Sequence, residues 1–172
     1  MRMSAIRWLS SALALALAVL PLAAQSRADQ LRQRLESGRV SFDYSLTVEG
    51  NVPVKQSGSV VIDGDCYFIK GNGTEVRCDG TTLWTVDTEA REVYIENSAG
   101  VREFLADPAA YLDKVSGLKV GETTASGVYS DDGNRVKFNL SSIRSSESGG
   151  DGAIFKFDTS ALGEEWVVTD LR

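Results

Sequence analysis

Residues 64–87 read "GDCYFIKGNGTEVRCDGTTLWTVD". Three short runs rich in β-branched and aromatic side chains, 65–70, 74–78 and 82–87, are separated by Gly71-Asn72-Gly73 and Asp79-Gly80. Runs of this length joined by links of this kind predict antiparallel neighbours in a meander. A hairpin turning about Asn72 pairs residues whose numbers sum to 144, so Lys70 faces Thr74, Phe68 faces Val76 and Cys66 faces Cys78. Directly opposed residues have Cβ atoms about 4.5–5.5 Å apart, within reach of disulfide geometry after a local twist. The register therefore predicts a Cys66–Cys78 disulfide. Unpaired buried thiols and a redox pair are the alternatives, although redox motifs place their cysteines closer together at a helix start. On this register Phe68 and Val76 share the cysteines' apolar face, while Tyr67, Ile69, Glu75 and Arg77 point the other way. Asp79-Gly80 then turns the chain into a strand holding Leu83, Trp84 and Val86.

The same pattern extends in both directions. In "SFDYSLTVEG", residues 41–50, Phe42, Tyr44, Leu46 and Val48 alternate with polar residues, the period of a half-buried strand. Further strands are expected at 54–62, 92–96, 118–121, 126–130, 134–140, 153–158 and 165–170, with a mobile loop at "SIRSSESGGDG", residues 142–152. Two stretches change period. "DQLRQRLESG", from Asp29 to Gly38, predicts a short amphipathic helix. "VREFLADPAAYLDKVSG" places Leu105, Leu112 and Val115 at helical spacing beside Phe104 and Tyr111. Asp107-Pro108 serves as cap and first turn, so a short helix is predicted from Pro108 to Val115. The composite is α+β: a curled antiparallel half-barrel of about 10–11 strands, with Phe104, Leu105, Tyr111 and Leu112 forming a lid of short helices over its opening.

Trp8 to Leu20 form an apolar run behind Arg2 and Arg7, too short to span a bilayer and followed by small residues, the pattern of a secretory signal peptide. Cleavage is expected after Ser26 or Ala28. Residues 1–28 are taken as the signal and 29–172 as one domain, soluble and periplasmic. Three arginines leave with that segment, so the net charge falls from −6 to −9, which disfavours nucleic acid. The chain has no histidine. That removes Ser-His-Asp and Cys-His catalysis and histidine-bearing zinc sites, and the adjacent acids Asp131-Asp132 and Glu164-Glu165 read as turns. No enzyme, metal or cofactor is expected.

The opening "LRQRLESGRVSFDYSLTVEG", the pair "SGSVVIDGDCYFI" and above all "CDGTTLW" resemble the LolA family of periplasmic carriers for outer-membrane lipoproteins. Asp79, Gly80, Thr82, Leu83 and Trp84 match that family's Asp-Gly-Lys-Thr-Leu-Trp stretch, with Thr81 in place of the lysine. The closing "WVVTDLR" and the length are similar to the shorter LolA-like proteins of the Bacteroidetes type. The resemblance implies a non-catalytic, monomeric carrier whose apolar cavity shields the acyl chains of a lipoprotein or another lipid. An inner-membrane lipoprotein-releasing complex would load it. The cavity lining is expected from Phe42, Tyr44, Leu46, Val60, Ile62, Phe68, Val76, Trp84, Val86 and Phe138. One departure stands out: the family's basic segment after the strand at 57–62 is replaced by Asp63-Gly64-Asp65. The alternative is an extracytoplasmic interaction module with a solidly packed core.

Overall fold

The computed structural model describes residues 38–49, 52–98, 115–131, 134–149 and 152–172. Their ten strands are β1 (Gly38–Glu49), β2 (Val54–Asp63), β3 (Cys66–Gly71), β4 (Thr74–Asp79), β5 (Thr82–Asp87), β6 (Glu92–Asn97), β7 (Val115–Val120), β8 (Ala125–Asp131), β9 (Asn134–Glu147) and β10 (Val167–Asp170). All belong to one open sheet in the order β10-β6-β5-β4-β3-β2-β1-β9-β8-β7. Two meanders, β1–β6 and β7–β9, are fused by antiparallel pairing of β1 with β9. Every pairing is antiparallel except that of β10, which lies parallel to β6.

This corrects the expected α+β class. The described residues form an all-strand sheet whose helical pieces are two 3-10 turns, Gly152–Phe155 and Thr159–Ala161. Val115, expected as the last helical residue, instead opens β7. The rest of that lid, with Phe104, Leu105, Tyr111 and Leu112, lies outside the described residues, as do residues 1–37. Two further boundaries differ. The segment at 153–158 holds a 3-10 turn rather than a strand, and β9 runs on to Glu147 through most of the expected loop. A bulge in β9 opposite Ser41–Asp43, with Ser142 at φ 55°, lets that long strand stay paired with β1. None of the described helical segments is long and apolar enough to cross a membrane.

The meander depends on its turns. Asn72 (φ 51°) and Gly73 (φ 77°) both adopt left-handed backbone between the paired residues Gly71 and Thr74, the geometry of a two-residue type I′ hairpin. After β4, the Asp79 carboxylate accepts hydrogen bonds from the Thr81 and Thr82 amides and the Thr81 hydroxyl. This local network reverses the chain, and Ser98 at the end of β6 buttresses it, donating from its amide to the Thr81 oxygen and from its hydroxyl to the Gly80 oxygen. Gly58 and Gly71 sit opposite each other in β2 and β3. A Cβ at Gly58 would overlap the Lys70 carbonyl oxygen, and one at Gly71 would meet the Tyr44 hydroxyl at 2.6 Å. The glycine pair lets two backbones and an aromatic side chain meet where no side chain fits.

From β9 the chain does not turn back beside its neighbour. Residues 152–166 lie across one face of the sheet, between the end where β9 meets the start of β1 and the end where β6 begins, before β10 pairs with β6. This crossing segment, with β10, is called the strap.

Candidate functional site

Side chains directly opposite one another in a sheet share a face, so the registers divide the molecule into two apolar surfaces. The first, the core face, gathers Val40, Phe42, Tyr44 and Leu46 of β1 and Val60 and Ile62 of β2. It continues through Tyr67, Ile69, Val76, Cys78 and Leu83 on β3–β5, and Ala125, Tyr129, Val136, Phe138 and Leu140 on β8 and β9. These residues form one cluster, each 8% exposed or less, and none carries a charge. Burial pushes up the pKa of the Tyr44 and Tyr67 phenols. Both 3-10 turns lie on the opposite face, so no described helix or second sheet covers the core face.

The second surface, the strap face, centres on Val86, Val93 and Ile95 with Trp84, Phe157, Leu162 and Trp166 packed against them. Arg77 is its hub. The guanidinium lies 4.7 Å from the Phe68 ring and 5.6 Å from that of Phe157. It donates to the main-chain oxygens of Ile154 (3.2 Å) and Lys156 (3.1 Å) and pairs with Glu75 at 2.7 Å. Burial alone would raise the Glu75 carboxyl, but hydrogen bonds from Arg77 and Lys70 outweigh it and hold the group below its ordinary value. A second arginine repeats the motif: Arg39 stacks 5.2 Å from the buried Phe155 ring and pairs with Asp63. Ser148 donates to that same carboxylate.

Seven of the ten expected lining residues, Phe42, Tyr44, Leu46, Val60, Ile62, Val76 and Phe138, meet on the core face. Phe68, Trp84 and Val86 do not. They lie on the strap face, and Trp84 stands opposite Arg77 and Ile95, packed against the Val86–Val93–Ile95 cluster. For Phe68 the cause is a β3–β4 register displaced by one residue, which exchanges the face of every β3 side chain relative to β4; Trp84 and Val86 face away because Leu83, not Trp84, pairs with the buried Cys78. The β3–β4 pairs sum to 145, so Tyr67 opposes Cys78 and Cys66 opposes Asp79. The expected disulfide is likewise overturned: both cysteines are free, and they point to opposite faces of the sheet. Burial raises both thiol pKa values. At Cys78 a hydrogen bond from the Gly80 amide opposes that rise without cancelling it.

Energetics explain which register wins. The alternative would move Tyr67 and Ile69 out of the core, at about 1.5–3 kcal/mol for each large apolar side chain, turn Cys66 and Phe68 inward, and take Phe68 off the Arg77 guanidinium. A disulfide closing a short loop returns only about 2–4 kcal/mol. Tyr67, Ile69, Leu83 and Leu140 were thus absent from the expected lining although they are buried in it. Reading Asn72-Gly73 as a two-residue turn would have found the first two.

Among the described residues no cluster of three His, Cys, Asp or Glu side chains is placed to hold a metal ion. A shallow cleft of about 130 Å³ at the β3–β4 turn is lined by Lys70, Asn72, Glu75 and Thr88 among others. Comparison with protein-family models and with curated proteins finds no match to this sequence.

Proposed function

We propose that the protein is an exported, non-catalytic carrier that shelters the acyl chains of lipoproteins, or another lipid, against the core face of its sheet. In this reading residues 1–28 direct it to the periplasm and are removed, its partners are the acylated cargo and an inner-membrane releasing complex, and it works as a monomer. One observation carries the proposal. An apolar face runs across β1–β5, β8 and β9 with the partly buried side chains of β7 beside it, bordered at β5 and β6 by Asp87, Glu92 and Glu96, while the described helical turns pack on the other side. Moving acyl chains through water forfeits about 0.8 kcal/mol per exposed methylene. A sheet face of this breadth can accept them once its own side chains part. The resemblance of "CDGTTLW" to the LolA family points the same way, and the absence of histidine favours carriage over catalysis.

The close mutual packing of the core face favours a second reading, an interaction module with a solid core. Native mass spectrometry of protein purified from its own periplasm separates the two. The carrier should retain acylated mass in excess of the polypeptide and exchange it for a fluorescent fatty-acid probe. Protein that arrives without lipid and leaves the probe's emission unchanged establishes the solid-core module instead.

A further inference from the structure

The strap is fixed by contacts that its own connection to β9 does not require. Arg77 holds it through two main-chain oxygens, and Phe155 and Phe157 stack on Arg39 and Arg77. Leu162 and Trp166 pack on Val86, Val93 and Ile95. The amides of Val167 and Leu171 donate to the oxygens of Arg91 and Ile95, adding a strand to the edge of β6. Together these make a polypeptide-binding site of the strand-addition kind: main-chain pairing for affinity and side-chain anchors for register. Its occupant is joined to β9 through "SESGGDG", residues 146–152, whose glycines tolerate many backbone paths.

We propose that the strap face and the β6 edge form an exchange site whose second occupant is the strap of another copy of this chain. In the resulting dimer residues 152–172 of each copy lie on the other's sheet. Every contact described above is then made between copies instead of within one, so the exchange requires no new interface. The site is on the opposite face from the proposed lipid surface, and the inference does not depend on carriage. A strap tethered by a short connection has an effective concentration in the millimolar range, so the closed monomer prevails in dilute solution. The dimer gains whenever the connection is too short to let the strap reach its own sheet. The connection is anchored by Asp63 at Ser148 and by Arg77 at Ile154. Removing three residues takes away about 10 Å of reach.

The test deletes Gly150, Asp151 and Gly152 from the full chain and measures mass by light scattering together with hydrogen exchange at Val167 and Leu171. The expected product has twice the monomer mass, with both amides protected as in the parent. Adding Arg77→Ala in the same background should weaken the dimer at least tenfold. A monomer, whether the two amides are protected or open, overturns the proposal, as does a dimer indifferent to Arg77→Ala. Should the deleted chain fail to fold, the parent chain decides. Refolded at millimolar concentration, it should yield at least tenfold more dimer than at micromolar concentration, and that dimer should persist on dilution. Equal dimer fractions at the two concentrations, or a dimer that dissociates at once on dilution, refute it.

Discussion

Asn72 and Gly73 decide more of this molecule than any residue in its cores. Both hold positive φ, so the turn contains two residues and not three, and that single count places Tyr67 and Cys78 inside while Cys66 stands with Asp79 on the other face. A consequence is measurable at the thiols. Burial keeps both cysteines protonated at neutral pH, which suppresses thiolate chemistry, and their opposed directions prevent bridging. Alkylation of freshly isolated protein under denaturing, non-reducing conditions should therefore add two labels per chain. An unlabelled chain would show that a bridge had formed and that the register is wrong. Residues 64–87 announced the meander plainly, through short β-rich runs and turn residues. They concealed the faces, because Phe68, Trp84 and Val86 are as apolar as Tyr67 and Ile69, and composition does not say which surface an apolar residue joins. The strap leaves a misleading trace: its anchors at 155 and 157 keep a strand's alternation, which 162 and 166 do not continue.

Among the elements, β2 and β3 are held closest at Gly58 and Gly71, where Tyr44 of β1 lies over the pair. Alanine at position 58 must push the Lys70 carbonyl away and disturb the same pairing that fixes the turn at Asn72. Overpacking of this kind costs about 1–3 kcal/mol. Gly58→Ala should lower the urea midpoint by a corresponding amount with an unchanged slope, and a midpoint equal to that of the parent would mean that β2 and β3 separate freely there. Strand existence was legible for all ten of these elements, since alternation and turn residues are local signals. The tail was harder. Residues 153–158 alternate apolar and polar as a strand does, yet Arg77 takes the main-chain oxygens of Ile154 and Lys156, satisfying backbone groups that a ladder would otherwise need. β9 outran its expected end because β1, a strand of twelve residues, offers it a partner along its whole length.

For the whole molecule, acid is the informative perturbation. Hydrogen bonding from Ser148 holds Asp63 below its ordinary value. At Asp79, donation by the Thr82 and Thr81 amides outweighs the opposing effect of burial, and at Glu75 donation by Arg77 and Lys70 does the same. Arg172 draws Asp170 down to about 2. Each depressed carboxyl contributes stability that is complete above its unfolded value, near 4, and is lost as pH falls through the lower folded value. The urea midpoint should be level from about pH 6 to pH 5 and decline steadily below about pH 4. A midpoint that is constant or rising down to about pH 3 contradicts this assignment. Because Asp63 and Glu75 pair with the arginines that hold the strap, the emission of Trp84 and Trp166 should shift to the red before the sheet unfolds. The position of β1 has a different kind of consequence. It lies at the middle of the sheet, yet its partner β9 follows roughly a hundred residues later, a non-local pairing of the kind that slows folding. A ribosome releases β1 long before β9, and β6 long before β10. The growing chain therefore carries the unpaired edges of β1 and β6 until β9 and β10 have been made. Such edges recruit other chains, so safe production of this protein depends on what shields β1 and β6 during that interval.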